Sequence, residues 1–221
     1  MKKLFSAIGL LLVVSLVNAF AQQNKAESGA ATPKTATAAA VSYGIVVDNS
    51  GSFRSILEKV IEITKDIVEE NKANDETFLV RFVSTDKIQL LQDFTISKDE
   101  LHAAADEMYP EGGLTAILDA VDFAARHLVE KASSEPATRR KALILLTDGD
   151  DRKSKAKIEE VLKFLKDNQV QVYVFGISDE KVSTKIIDKL TRETGGKKFV
   201  PKTTAEISAM VKELSAALRA Q

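Results

Sequence analysis

Several residue types are missing or scarce in this chain of 221 residues, and each absence removes a class of function. The sequence contains no cysteine and no tryptophan, and it has only two histidines. Disulfide bonds, thiol chemistry and zinc sites built from cysteine and histidine are therefore excluded. A metal bound by this protein would have to be a hard cation held by oxygen atoms, which are the ligands that such cations prefer.

An excess of charge of either sign is also missing. The sequence has 31 Lys and Arg residues against 32 Asp and Glu residues, so its formal net charge is -1. This balance does not indicate a general binder of nucleic acid or of membrane surfaces. A hydrophobic content of 44% and a charged content of 29% are typical of a globular protein, and the length suits one domain with appendages.

Residues 1–21 have the pattern of a secretory signal peptide. Lys2 and Lys3 are followed by an apolar stretch of about a dozen residues, and Ala19-Phe20-Ala21 is a small-x-small cleavage site. The alternative is a membrane anchor, but the stretch is short compared with the roughly 20 residues that span a bilayer. We therefore expect a secreted or periplasmic protein with no stable membrane insertion after cleavage.

Two segments follow the predicted cleavage point. Residues 22–40 lack large apolar side chains and cannot form a core, so they are predicted to be a flexible linker. Residues 41–221 are predicted to be the folded domain, within which we find no internal repeat.

The periodicity of apolar residues alternates between strand and helix along this domain. Three segments are apolar throughout, which predicts strands buried on both faces: VSYGIVV, KALILLT and VQVYVFGIS. TFLVRFVS and KIQLLQDF are predicted as strands around a turn at Thr85-Asp86, and KKFVP as a short last strand. Helical spacing occurs over residues 53–71, 97–108, 115–131, 157–168, 182–196 and 204–220. The sequence therefore predicts an α/β fold, a doubly wound and mainly parallel sheet with helices on both faces.

Two helix ends carry specific signals. Ser97 followed by Glu100 is the pattern of a capping box at a helix start. Gly195-Gly196 is a stop signal at the end of another helix.

Polar residues with oxygen-bearing side chains follow two of the apolar strands. Asp48 ends the first strand, and Ser50 and Ser52 alternate behind it around a glycine. Asp148 ends KALILLT, and Thr115 follows a diglycine loop at the predicted start of a helix. Because ligands bind beyond the carboxyl ends of parallel strands, we expect these two carboxylates and three hydroxyls at one edge of the sheet. An oxygen-only set of this kind suits Mg²⁺ or Mn²⁺.

Each of these residues also has a plainer interpretation. Ser52 and Thr115 are each suited to cap the helix that follows, and Asp148 is suited to a turn beside Gly149. Asp150 and Asp151 are interpreted as solvated turn residues, although they would add negative charge near a cation. The plain interpretations explain the positions one by one, whereas a metal site explains all five ligand candidates together.

With these residues in place, the chain from 41 to 221 resembles a von Willebrand factor A-type domain, the fold shared with integrin inserted domains. The family's metal-ion-dependent adhesion site has the pattern D-x-S-x-S, then a distant Thr, then a distant Asp before Gly. DNSGS, GGLTAILDAV and LLTDG supply the pattern with the five residues Asp48, Ser50, Ser52, Thr115 and Asp148. A signal peptide followed by a single such domain is similar to secreted bacterial members of the family.

The resemblance implies a role for each residue. Ser50 and Ser52 would ligate the metal directly, Thr115 directly or through water, and Asp48 and Asp148 largely through water and hydrogen bonds. Hydroxyl ligands leave the charge of the cation under-neutralised, so an open position would accept an Asp or Glu carboxylate from a partner protein. One departure is Leu114, which stands between the diglycine and Thr115, where many members have Thr directly after the glycines.

The sequence leaves three functions open. A metal-dependent protein-binding module is favoured, a metal-free scaffold of the same fold is the first alternative, and a Mg²⁺-dependent phosphotransferase is less favoured. Enzymes of the haloacid dehalogenase class need a second Asp two residues after the first, and Ser50 occupies that position. His102 and His127 lie in predicted helices with no evident serine or acid partner, so we expect no catalytic activity.

Overall fold

The computed structural model describes residues 39–179 and 181–220. The predicted signal peptide and nearly all of the predicted linker lie outside the described residues. The strands are β1 Val41–Asp48, β2 Glu76–Phe82, β3 Ile88–Thr95, β4 Arg140–Thr147, β5 Val170–Gly176 and β6 Lys198–Phe199. The α-helices are α1 Leu57–Glu69, α2 Lys98–Asp106, α3 Ile117–Lys131, α4 Ile158–Asp167, α5 Thr184–Thr194 and α6 Thr204–Ala217.

The six strands form one sheet in the order β3-β2-β1-β4-β5-β6. Every neighbouring pair is parallel except β2 and β3, which form an antiparallel hairpin. In the centre, Val46 of β1 pairs with Val80 of β2 on one side and with Leu145 of β4 on the other. The predicted mainly parallel sheet is confirmed.

Helices cover both faces of this sheet, so the strands are apolar on both sides. Tyr43, Ile45 and Val47 of β1 pack with side chains of α1, α2 and α6. Val46, which points to the opposite face because side chains alternate along a strand, packs with α3, α4 and α5. The last helix, predicted from helical spacing over residues 204–220, packs its Ile207 and Val211 side chains into the first of these two cores.

Two of the predicted helix ends are confirmed, and one predicted helix start is not. The Ser97 hydroxyl accepts a hydrogen bond from the Glu100 amide at 3.3 Å, which confirms the N-cap of α2. Gly195 ends α5 in a left-handed conformation with φ of 73°, as its position predicts. The predicted start of the first helix at residue 53 is wrong, because a 3-10 turn, Gly51–Phe53, precedes α1. That turn still buries Phe53, which explains its helix-like spacing in the sequence.

The topology reverses the strand order between β1 and β4, next to the carboxyl ends of these two strands. The chain leaves β1 to form β2 on one side and later returns to form β4 on the other side. Ligands of doubly wound sheets bind where the strand order reverses in this way. In the described part of the chain no helix is long and apolar enough to cross a membrane.

Candidate functional site

Asp48, the last residue of β1, is fully buried at this edge of the sheet. One carboxylate oxygen accepts the Ser50 amide at 3.0 Å, and the other accepts the Thr147 hydroxyl at 2.9 Å. The pKa of Asp48 is raised from 3.8 to about 7. Burial is the main cause and the charge of Asp148 adds to it, while the hydrogen bonds from Ser50 and Thr147 act in the opposite direction. A nearby cation would favour the ionised form of such a carboxyl group.

The two serines that follow Asp48 lie side by side. Their hydroxyl oxygens are 3.2 Å apart, with Ser50 buried and Ser52 exposed. The interpretation of Ser52 as a helix cap is wrong, because Ile56 is the N-cap of α1 and makes no side-chain cap. Both hydroxyls therefore stand at the carboxyl edge of the sheet without a capping role for α1.

Asp148 follows β4, the strand that neighbours β1. One of its carboxylate oxygens accepts the Asp150 amide at 3.0 Å, so the predicted turn role is real. The next residue, Gly149, has φ of +82°, and a Cβ there would lie 1.9 Å from the Ser183 carbonyl oxygen. The turn is thus closely packed against the segment before α5, whose Ser183 amide donates to the Asp148 carbonyl at 2.7 Å.

Thr147 is a residue of the site that the sequence analysis missed. Its hydroxyl donates to Asp48 and accepts the Gly149 amide at 3.1 Å, so it joins the ends of β1 and β4. A polar residue at the end of an otherwise apolar strand was the available signal. The sequence analysis assigned the end of this strand to Asp148 instead, because a carboxylate is the stronger candidate for a metal ligand.

Thr115 is buried just before α3, and its backbone is held by the loop after β4. Its carbonyl oxygen accepts the Arg152 amide at 2.9 Å and the Lys153 amide at 3.0 Å. The interpretation of Thr115 as a helix cap is wrong, because other side chains serve the first amides of α3. These are Asp151, which accepts from the Ile117 amide at 2.7 Å, and Ser154, which accepts from the Leu118 amide at 2.9 Å.

Of the two acidic residues after Gly149, only Asp151 differs from its predicted role. Asp150 is half-exposed and forms an ion pair with Arg152 at 2.6 Å, so its interpretation as a solvated residue is close to what the structure contains. Asp151 caps α3 from another loop and accepts the Ser154 hydroxyl at 2.5 Å, so the same interpretation is wrong for Asp151. The sequence does not indicate this cap, because helix caps are expected immediately before the helix and Asp151 is far from the start of α3 in the sequence.

The structure therefore joins four of the five predicted residues by side-chain contacts or adjacency. Hydrogen bonds run from Asp48 to Ser50 and on to Ser52, and Thr147 joins Asp48 to the strand end that carries Asp148. Thr115 is connected to the loop after Asp148 through its backbone.

The residues fit a hard cation by the chemistry of their donor atoms. Within residues 39–179 and 181–220, no group of three His, Cys, Asp or Glu could hold a metal, so hydroxyl oxygens would have to contribute. A buried carboxyl and two adjacent hydroxyls supply such oxygens. Asn49 lies between Asp48 and Ser50 in the sequence, and its Oδ1 atom is buried without a hydrogen-bond partner among the described residues.

Both histidines have acidic partners, contrary to the sequence analysis. His102 lies 3.2 Å from a Glu69 carboxylate oxygen, and His127 lies 2.8 Å from Asp93. The His127 ring also packs at 4.8 Å between centroids against Phe78. The partners come from other elements of the fold, which is why sequence neighbours did not indicate them.

The fold and the site together define a doubly wound α/β domain with a group of hydrogen-bonded, oxygen-bearing side chains at the carboxyl edge of its sheet. The sequence matches the model of the von Willebrand factor type A domain over residues 44–214. This match covers more than half of the chain, so the protein belongs to the von Willebrand factor type A domain family. No curated protein matches the chain significantly.

Solved structures agree on the fold. A von Willebrand factor type A protein from Catenulispora acidiphila is 21% identical, with a TM-score of 0.69, over 83% of this chain and 43% of that one. An aerotolerance-related membrane protein from Bacteroides fragilis is 17% identical, with a TM-score of 0.65, over 80% of this chain and 98% of that one. The pilus adhesin SpaC from Lactobacillus rhamnosus GG is 14% identical, with a TM-score of 0.64, over 81% and 30% of the two chains.

Proposed function

We propose that this protein is an exported, metal-dependent protein-binding module that recognises an Asp or Glu carboxylate on a partner. The observation that carries the proposal is the hydrogen-bonded connection between the ends of β1 and β4. There Asp48 accepts from Ser50 and Thr147, and the Ser50 and Ser52 hydroxyl oxygens lie 3.2 Å apart. The proposed cation is Mg²⁺ or Mn²⁺, because both suit a set of oxygen ligands.

Each of the five residues has a proposed role. Ser50 and Ser52 would hold the cation through their hydroxyl oxygens, and Thr115 would do so directly or through water. Asp48 and Asp148 would act through water and hydrogen bonds and would balance the charge. When bound, the cation would supply a Lewis-acidic position for one more carboxylate oxygen. Neutral hydroxyls compensate less of the cation's charge than carboxylates would, which favours an acidic group on the partner.

Export and partner binding are supported by the N-terminal pattern and by two proteins of similar fold. Residues 1–21 have the three parts of a signal peptide, which favours a secreted or periplasmic location. The similar proteins are described as a pilus adhesin and as an aerotolerance-related membrane protein. The proposal includes no catalytic activity and no nucleic-acid partner.

Calorimetric titration of Mg²⁺ and of Mn²⁺ into the full chain tests the metal part of the proposal. We expect saturable binding at one site, and we expect Asp48→Ala and Ser50→Ala to abolish it. Ser55→Ala is the matched control, because Ser55 is an exposed serine before α1 whose hydroxyl donates to Asp179 at 2.7 Å.

Two results would contradict the proposal in different ways. Unaltered binding in Ser50→Ala would remove the serines from the ligand set. Absence of binding in the wild type would favour the first alternative, a metal-free scaffold of the same fold.

A further inference from the structure

Two large apolar side chains are exposed in the chain segment that leads to Thr115, one of the proposed ligands. Among the described residues, the large hydrophobic side chains that are exposed are Ile96 at 70%, Tyr109 at 54%, Leu114 at 45% and Phe123 at 38%. Tyr109 and Leu114 both belong to the segment between α2 and α3 that leads to Thr115. Single exposed apolar residues are common on protein surfaces, so the position of this pair is the informative feature.

Tyr109 is held in place by contacts on both its ring and its backbone. The Arg81 guanidinium lies 4.4 Å from the ring centroid and donates to the Tyr109 hydroxyl at 2.9 Å. The Tyr109 carbonyl oxygen accepts from the Asn49 side-chain amide at 2.5 Å. Because Asn49 stands between Asp48 and Ser50, this bond ties the Tyr109 segment to the proposed ligands.

The arginine that supports this ring is itself fixed. Arg81 is buried at 8% exposure, and the Gln89 side-chain oxygen accepts from it at 3.0 Å and 2.9 Å. Glu111 lies 3.2 Å from the same guanidinium and also pairs with Lys87 at 2.9 Å. A ring immobilised in this way loses little conformational freedom when a partner covers it, which favours binding.

Leu114 is exposed although the backbone on both sides of it is closely held. A Cβ on Gly113 would lie 2.3 Å from a methyl carbon of Val83, the residue after β2, so the backbone before Leu114 is closely packed against the end of that strand. After it, the Thr115 carbonyl accepts two amides, and the Ala116 amide donates to Val83 at 3.1 Å. The leucine therefore stands exposed on a fixed backbone beside a proposed ligand.

We infer that Tyr109 and Leu114 form an apolar rim that selects a partner carboxylate flanked by apolar side chains. This inference rests on the proposed function, because the rim acts only if a carboxylate binds beside it. The carboxylate alone would bring little surface to the contact, whereas apolar neighbours would cover the two exposed side chains. At protein interfaces, aromatic and aliphatic side chains that become buried on binding, with polar residues around them, usually supply most of the affinity.

Two matched peptides test the inference in the presence of Mg²⁺. The acetylated and amidated peptides Ser-Leu-Asp-Leu-Ser and Ser-Gly-Asp-Gly-Ser present the same carboxylate with and without apolar neighbours. For the full chain we expect the leucine peptide to bind about tenfold more tightly, as covering one leucine-sized contact would produce. Leu114→Ser and Tyr109→Ser should each reduce that preference and leave the glycine peptide and the Mg²⁺ titration unchanged.

Ile96→Ser is the matched control for these variants. Ile96 is the most exposed of the four side chains and follows Thr95, which pairs with Thr77 at the amino end of β2. It therefore lies at the edge of the sheet opposite the proposed site, and its substitution should leave the preference intact.

The possible failures are distinguishable. Equal affinities of the two peptides for the wild type would overturn the inference and leave the proposed function standing. A preference that survives in both rim variants, or that Ile96→Ser removes, would also overturn it. Mg²⁺ binding without any binding of either peptide would overturn the carboxylate part of the proposed function together with the inference.

Discussion

The hydroxyl group of Thr147 joins the ends of two strands by hydrogen bonds. It donates to Asp48 of β1 at 2.9 Å and accepts from Gly149 after β4 at 3.1 Å. Both bonds are buried, so neither partner can exchange Thr147 for bulk water. Under the proposed function, Thr147 would therefore hold Asp48 in position beside the cation, and groups that support a metal site in this way commonly affect metal affinity.

Thr147→Val keeps the shape of the side chain and removes the hydroxyl. We expect it to weaken the proposed Mg²⁺ binding by about 10-fold to 100-fold, the usual effect of removing a hydrogen-bonding group that supports a metal site from outside the set of direct ligands. Calorimetric titration measures this change. Thr64→Val is the control, since Thr64 is equally buried but its hydroxyl donates to the Val60 carbonyl within α1 at 2.8 Å. Equal Mg²⁺ affinities of Thr147→Val and wild type would argue against a supporting role for this hydroxyl.

At the scale of the element, α3 is held from its first turn by the loop that follows β4. Asp151 and Ser154 accept the amides that begin the helix. In the same region Asp119 of α3 accepts the Lys155 amide at 2.9 Å and the Ala156 amide at 2.7 Å. The helix and the loop therefore fix one another, and Thr115 lies where they meet.

Asp151→Ala should destabilise the protein by about 1–2 kcal/mol, because α3 would lose the side chain that caps it. The adjacent Asp150→Ala should change the free energy of unfolding by less than about 0.5 kcal/mol, since exposed ion pairs contribute little. Urea unfolding of the two variants measures both values. Similar losses in the two variants would contradict the assignment of the cap to Asp151.

Asp119 provides a prediction for the dependence of stability on pH. Burial alone would raise its pKa, but hydrogen bonds from the Thr85 hydroxyl and from the Ala156 and Lys155 amides outweigh burial and lower it. A lowered pKa in the folded state means that the ionised group stabilises the fold above its unfolded pKa of about 4. That stabilisation is lost as the pH falls through the lower, folded value.

Asp119→Asn should therefore destabilise the protein by about 1–2 kcal/mol near neutral pH, through loss of charge-assisted hydrogen bonds. The difference from wild type should shrink as urea unfolding is repeated below about pH 4. Asp122→Asn, on the same helix but paired with Arg126 at the surface, is the control. A difference that stays constant down to the lowest pH would mean that the charge of Asp119 is not what stabilises the loop.

At the scale of the whole domain, Asp75 connects the beginning of the fold to its end. This buried carboxylate accepts the Val41 amide at 3.0 Å and the Lys72 amide at 2.8 Å. Arg219, just after α6, donates to the same group and forms an ion pair with it. The last helix is thereby tied to the start of β1, the strand that carries Asp48 at its other end.

Arg219→Ala should cost about 3 kcal/mol of folding free energy, because Asp75 would remain buried without its cationic partner. Thermal or urea unfolding measures the loss. Arg192→Ala is the control, since Arg192 is 69% exposed and pairs with Glu193 at 3.6 Å. If the two variants lose the same small amount, then the tie between α6 and β1 contributes no more than a surface ion pair.

The order of the elements, the fold class and the edge of the sheet at which the polar residues lie all follow from the amino-acid pattern alone. Apolar runs can be buried only between two layers of helices, and parallel strands place all their carboxyl ends on the same side. Asp48, Ser50, Ser52 and Asp148 could therefore be predicted as neighbours of that edge. The caps at Ser97 and Gly195 were also readable, because a cap acts within a few residues of itself.

The pairing of polar groups, in contrast, depends on how distant elements are placed in the folded domain. Thr147 and Asp48 are 99 residues apart in sequence, Arg219 and Asp75 are 144 apart, and Asp151 and Ile117 are 34 apart. No local periodicity encodes such a pair, because a hydrogen bond depends on the relative placement of two elements to within a few tenths of an ångström. Apolar side chains still pack together when two elements shift by a few tenths of an ångström, whereas a hydrogen bond is lost or weakened. The core could therefore be predicted from the sequence, and the polar network could not.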